Sequence, residues 1–369
     1  MTGSNMKTNL PEASGRRLVS GCTKPGTRDS NMELLRIVAM VLVMVVHANF
    51  RAMTFPTAYD VVMSPGSVAM RYLTESLSIV CVNVFVLLSG WYGIHFKVGR
   101  LLGFIFQVAF FSILIFVPYS IFAKPDMPMA EAIKKVFLLG QWDYWFVKSY
   151  VMLYLFSPVL NAFLEKSGQK EVLFFLLAFF GFQTVFGWLF KGADWFFGGF
   201  SPISFFGLYV LARYVHIYKP EFGKLDRKAD MVIFIGLALI NAFCAICLTS
   251  HPLAHTGITK YSLFSYTSPL VIVQALHFLL FFSKLDFKSK AVNWIASSAF
   301  AIYLVHSNSF ISKPYYDNLI AGWFASLGTF PFLACVSGWM IVVFWVSILS
   351  DKVRIWIWHL ISPSLQKSK

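Results

Sequence analysis

The stretch Asn31–Phe50, NMELLRIVAMVLVMVVHANF, limits what this chain can become more than any other. It is apolar over about the length that crosses a bilayer as a helix, yet it contains Glu33, Arg36 and His47. Ionisable groups at membrane depth are costly and point to function. On a helix, Arg36 and His47 are eleven residues apart. That is about three turns, roughly 16 Å of rise, with only about 20° between their directions. One face of one helix therefore carries a guanidinium near one end and an imidazole well inside. Glu33 precedes Arg36 by one turn, at i, i+3, so the two can pair.

The rest of the chain extends the pattern. Of 369 residues, 57% are hydrophobic and 13% charged, with a mean hydropathy of +0.67 and forty phenylalanines. A soluble domain is nearer half apolar and a quarter charged. The expected class is all-α, a polytopic membrane protein with about ten transmembrane helices. The spans fall at about 32–51, 68–91, 101–122, 143–163, 172–190, 201–217, 231–249, 262–283, 292–311 and 328–350. Basic clusters lie in the N-terminal thirty residues and at 97–100, 219–228, 284–290 and 352–354. Ten spans put all of them on one side, which the positive-inside rule makes the cytoplasm, with both termini there. The net charge of +14 is explained in this way, and no basic stripe with interleaved stacking aromatics suggests nucleic acid. Residues 1–30 read as a disordered basic tail without the apolar core of a signal peptide, 31–350 as the membrane domain, and 351–369 as an amphipathic cytoplasmic tail.

Depth then sorts the polar residues within the spans. Arg36 lies near the inner end of the first span, and His47 and His306 lie in the outer halves of theirs. Lys148 is near the outer end of the fourth. Asn83, Gln274 and His277 are mid-span, where interhelical hydrogen bonding accounts for such residues. Of five cysteines, Cys244 and Cys247 make a C-x-x-C, but inside an apolar run, where they serve as small fillers. His251 and His255 have i, i+4 spacing, yet Pro252 and the lack of a nearby acid or thiol argue against a metal. No metal site is expected. Phosphate-loop, dinucleotide, nucleophile-elbow and zinc-helix motifs are missing. No internal repeat of the kind common in transporters is visible.

Four stretches, in order, resemble the acyltransferase-3 family of integral membrane acyltransferases, which O-acetylate bacterial surface polysaccharides and related glycans. ELLRIVAMVLVMVVHANF is similar to its first-helix motif of Arg, ten residues and His, here Arg36 and His47. NVFVLLSGWYG resembles its segment ending in Ser-Gly-Phe. YWFVKSYVMLYLFSPVLN, from Tyr144 to Asn161, resembles an aromatic helix with a late Pro and Asn, and SSAFAIYLVH resembles a segment ending in His, here His306. The family's first helix often reads Asp-Gly-Leu-Arg where this chain has Glu33-Leu34-Leu35-Arg36. Its basic R-x-R is represented here only by Lys97 and Arg100.

The resemblance implies an acyl-CoA donor, acetyl-CoA in the simplest case, on the cytoplasmic side of a bacterial inner membrane, and a glycan acceptor outside. It implies that Arg36, Lys97 and Arg100 hold CoA phosphates and that His47, with His306, is catalytic. The rise from Arg36 to His47 is comparable to a pantetheine arm. Glu33, Asn83, Lys148 and Tyr150 are candidates for substrate contacts or oxyanion donors. The acceptor sugar, the acyl length, direct transfer against an acyl-enzyme, and the oligomeric state stay open. So does a second class, an exporter of glycans or lipid-linked sugars without transferase activity.

Overall fold

The computed structural model describes residues 29–122, 128–138, 140, 144–190, 192–253 and 258–361. The basic tail through residue 28, with Cys22, lies outside them, as do His255 and the chain beyond residue 361. The described chain is helical and contains no strand. In order the helices are α1 (Ser30–Val46), α2 (Ala58–Met63), α3 (Pro65–Ser78), α4 (Cys81–Tyr92), α5 (Val98–Phe122), α6 (Met129–Val136), α7 (Trp145–Lys166), α8 (Gln169–Phe182) and α9 (Pro202–Tyr218). They continue with α10 (Arg227–Ser250), α11 (Lys260–Leu263), α12 (Pro269–Ser283), α13 (Lys290–Ala296), α14 (Phe300–His306), α15 (Asn318–Ser326) and α16 (Thr329–Ile361). α1 runs on into a π-turn, His47–Arg51, and α8 into another, Gln183–Leu189.

Seven helical stretches among the described residues are long and apolar enough to cross a membrane: Ser30–Arg51, Pro65–Tyr92, Val98–Phe122, Trp145–Lys166, Gln169–Leu189, Arg227–Ser250 and Thr329–Ile361. The protein is a multi-pass membrane protein. The other three expected spans are also helical but shorter or broken. α9 has 17 residues and α12 has 15, each opened by a proline in its first turn. Pro269 needs no N–H there and its fixed φ suits a helix start, so the expected beginning at 262 gives way to a turn over Phe264–Ser268. The ninth span divides at Ser297–Ala299, where the bonds tighten to i→i+3 and the Lys352 ammonium takes the Trp294 carbonyl (2.6 Å) and the Ser297 hydroxyl (2.8 Å).

The tail expected from residue 351 is no separate element over its described part. α16 continues through Asp351 to Ile361. Asp351 is fully buried, chelated by Arg354 (Nε 2.9 Å) and Gln107 (2.9 Å), so the polar residues that suggest a boundary are neutralised inside the bundle.

Hydrogen bonds sort the segment ends into two sets that alternate along the chain. At one end Ser289 donates to Ser30 (2.9 Å), Asn31 to the Phe282 carbonyl (3.0 Å) and Asn161 to that of Ile94 (2.8 Å). At the other, Arg51 meets Asp317 (2.9 Å) and Trp188 meets the Ser262 carbonyl (2.7 Å). The basic clusters at 97–100, 219–228, 284–290 and 352–354 fall at the first end, which is the one expected to face the cytoplasm.

α1, α3 and α4 are central. The apolar stretch of Pro65–Tyr92 is 72% buried and that of Ser30–Arg51 56%, against 17% for Gln169–Leu189. The peripheral helices expose Phe174, Leu177, Phe243 and Ile341, faces suited to lipid tails. His277 and Gln274 are the interhelical hydrogen-bonders expected, to Asp230 (2.9 Å) and to the Ser76 carbonyl (2.9 Å). α4 and α9 approach closely at Gly90, where an added Cβ meets the Tyr209 carbonyl oxygen at 2.5 Å and Ala212 at 2.8 Å. Small residues at such crossings let backbones touch. Gly90→Leu is expected to cost about 1–3 kcal/mol through overpacking, seen as a lower unfolding temperature of the detergent-solubilised protein.

Candidate active site

α1 turns Leu35, Ala39, Met40, Val43 and Met44 into the bundle, where they are buried. Its α-geometry holds from Ser30 to Val46, so the separation of Arg36 and His47 is the roughly three turns expected. At His47 the helix widens into the π-turn, a local irregularity common at functional sites.

His47 and His306 come together from residues 259 apart in sequence. His47 Nδ1 lies 2.9 Å from His306 Nε2, and His306 Nδ1 lies 2.5 Å from the Ile302 carbonyl oxygen. The carbonyl only accepts, so His306 carries its proton on Nδ1 and its Nε2 is left to accept. His47 must then donate from Nδ1, which leaves its Nε2 lone pair free. Ser307 Oγ is 3.3 Å from the same His47 Nδ1. His306 is 2% exposed and covered by Tyr303 and Tyr316, whereas His47 is partly exposed. The two histidines therefore differ in role: His306 stands behind His47 and fixes its tautomer and ring direction.

His47 lines a cavity of about 850 Å³ at the end opposite the basic clusters. Trp145, Trp188, Phe197, Tyr261, Phe264 and Tyr266 supply much of its wall. Its roof, Asp194–Gly199, is pinned when Tyr266 N and Ser265 Oγ both donate to the Gly198 carbonyl (3.1 and 2.9 Å). Tyr144 also lines it, at φ 42°, ψ 48°, and its hydroxyl donates to the Leu304 carbonyl and accepts from Asn308 (2.8 Å). A bulky residue held in the left-handed region at a cavity wall is a strained position of the kind found at active sites.

His47 also borders a second, small and mostly apolar void of about 20 Å³, lined by Val43, Met40, Phe85 and Phe146 among others. Further along the same helix, Arg36 is paired with Glu33 at 2.5 Å, with its side chain one-third exposed (33%). Tyr150 lies within electrostatic reach of Arg36 and hydrogen-bonds Ser89 (3.2 Å). It thus belongs with Arg36 and not with the cavity. Lys97 and Arg100 are exposed at the same end, and neither makes an ion pair with the described residues.

Two sequence candidates sit elsewhere. Lys148 is exposed and donates to the Gly140 carbonyl (2.5 Å), and it does not line the cavity. Asn83 spends its amide on the Tyr266 carbonyl (3.0 Å) and so supports the cavity wall from behind. Among the described residues no cluster of His, Cys, Asp or Glu is suited to a metal. Sequence reasoning missed Glu75, an acid in the outer half of the second span that lines the cavity, and Arg213, whose guanidinium bonds the Trp91 carbonyl (3.2 Å) near the inner end. The rule that flagged Arg36 and His47 applies to both and would have found them.

A family model described as an acyltransferase domain matches residues 29–349. The chain belongs to the acyltransferase-3 family. It is thus a membrane acyltransferase, and the matched region contains Arg36, His47, His306 and the whole cavity wall. No curated protein and no solved structure matches it.

Removing the acceptor for His47 Nδ1–H frees the ring to rotate and to carry its proton on the wrong nitrogen. His306→Phe is expected to lower acyl transfer by about 100-fold or more. His306→Gln, whose amide oxygen can accept the same hydrogen bond, should recover part of the loss. Turnover of the two purified variants checks this, with equal recovery in detergent as the folding control.

Proposed function

We propose that the protein transfers an acyl group, acetyl in the simplest case, from cytoplasmic acyl-CoA to a hydroxyl of a surface or cell-envelope glycan in the bacterial cytoplasmic membrane. The observation that carries this reading is the relay from Ile302 through His306 to His47, which leaves one imidazole lone pair free at an aromatic cavity. A neutral imidazole in a fixed tautomer is what a general base needs.

In the step proposed, His47 Nε2 takes the proton of the acceptor hydroxyl as its oxygen attacks the thioester carbonyl carbon. The tetrahedral intermediate then expels the CoA thiolate, which recovers the proton from His47. An O-acyl glycan and free CoA result, with no change of oxidation state. Ser307, beside His47 on the cavity wall, is placed to orient the acceptor oxygen.

The residues at the inner end fit a CoA donor. Arg36, Lys97 and Arg100 offer cations to its phosphates, Arg36 being partly exposed though paired with Glu33. The void between Met40 and His47 is apolar, as a pantetheine and thioester require, but its 20 Å³ is far too small to admit them without side-chain movement. Phe85 and Phe146, which flank it, are the side chains whose rotation would open the way. The aromatic walls of the outer cavity suit the apolar faces of sugar rings.

His47→Ala is expected to abolish transfer of label from radiolabelled acetyl-CoA to surface polysaccharide while the protein still inserts and purifies normally. Near wild-type transfer by that variant, or glycan transport by the wild type without any transfer, would refute the mechanism. Arg36→Ala should weaken acyl-CoA binding about tenfold or more, measured by titration in detergent, since it removes a charge-assisted phosphate contact.

A further inference from the structure

Glu75 is the one acid buried in the wall of the outer cavity, and the base chemistry above makes no use of it. It is 2% exposed, on the inner face of α3. One carboxylate oxygen accepts from Asn49 Nδ2 at 3.0 Å, and Asn49 is itself held by the Arg71 carbonyl (2.9 Å). The other oxygen has no protein partner among the described residues and opens to the cavity that His47 lines. Among the described residues no cation stands within ion-pair distance of Glu75. Arg71, one turn away, turns its guanidinium to the Met53 (3.1 Å) and Thr54 carbonyls and over the Phe324 ring.

A buried carboxyl held on one oxygen and open on the other is a costly arrangement unless something polar arrives to complete it. The rest of the cavity says what that something is. Of its lining residues the acids are Glu75 and Asp194, and the cation is Arg51, already bound to Asp317 (2.8 Å). The remaining wall is largely aromatic. Such a site offers hydrogen-bonding groups and ring faces but no unpaired positive charge, so a carboxylate, sulfate or phosphate on the acceptor would enter without a counter-ion.

We infer that Glu75 is an acceptor-recognition residue: its open carboxyl oxygen binds a hydroxyl or amino group beside the reacting hydroxyl, and the cavity takes neutral or amino sugars and rejects acidic ones. This rests on the proposed transfer to a glycan hydroxyl and names the substrate class of that site. Asn49, which meets no part of the cavity, is the residue that holds Glu75 in place.

The test uses the full chain in nanodiscs with radiolabelled acetyl-CoA and three length-matched β-linked oligosaccharides, of glucose, glucosamine and glucuronic acid. The wild type is expected to acylate the first two with kcat/KM at least about tenfold above the third. Glu75→Gln, which keeps the shape but cannot ionise, should narrow that ratio several-fold. Glu75→Ala should raise the acceptor KM by about tenfold or more, with the KM for acetyl-CoA within about twofold. Glucuronic acid oligomers acylated as well as glucose oligomers by the wild type would overturn the substrate class. Unchanged acceptor KM and unchanged discrimination in Glu75→Gln would overturn the role of Glu75. Label on none of the three acceptors, from protein that binds acetyl-CoA, would overturn transfer to glycans and this inference with it. Should Glu75→Ala fail to fold, the wild-type panel and Glu75→Gln decide.

Discussion

A donor or acceptor buried at bilayer depth has no water to turn to, and that constraint governs the pairing of the polar side chains that tie this bundle together. Tyr72 meets Thr249 at 2.6 Å, Gln274 the Ser76 carbonyl, and Asp230 both His277 and Lys284. These bonds tie α3 to α10 and to α12, and α10 to α12, across helices that share apolar surfaces but gain no hydrophobic drive from lipid. Groups with capacity to spare matter most where they also face open space. The imidazole of His47 and one oxygen of Glu75 are two such groups, and both face the same cavity.

Much of this was legible in the sequence because apolar length and buried charge are both written there directly. All ten segments expected to cross the membrane are helical, and most begin and end within a few residues of where the apolar runs do. What failed to show has physical reasons. Ser297-Ser298-Ala299 contains no proline or glycine, so the break between α13 and α14 depends on Lys352 arriving from α16 to take up a freed carbonyl. The continuation of α16 beyond residue 350 depends likewise on Gln107 of α5 neutralising Asp351. Contacts between distant segments of this kind have no local signature.

The site follows the same division. Arg36 and His47 were legible because they share a face of one helix, and the tie between Arg36 and Glu33 is local. The contact of His47 with His306 was not, since the sequence gives depth but not azimuth. Nor could depth alone separate Tyr150, which lies with Arg36, from Tyr144, which lines the cavity. The assignment of His306 as a residue that acts through His47 comes only from the proton order along Ile302, His306 and His47, which needs the distances.

The π-turn at His47 bears on how the two halves of the site meet. Residues two apart on a helix point in nearly opposite directions, so His47 turns to the cavity while Asn49 turns to α3 and reaches Glu75. The irregular turn thus holds the proposed base on one side and, through α3, the cavity-facing carboxyl of Glu75 on the other. Were the α-helix to continue unbroken past Val46, the one extra residue of the wide turn would be lost and the positions after it would shift around the axis, moving Asn49 and Arg51 relative to His47. Arg51 is fastened to Asp317, and Tyr316 beside it bonds the Met44 carbonyl at 2.8 Å, so the wide turn is clamped from outside α1. That clamp comes from a segment next to α15, far from α1 in sequence. It makes the geometry of His47 a property of the whole outer end of the bundle and not of the apolar stretch in which that histidine sits.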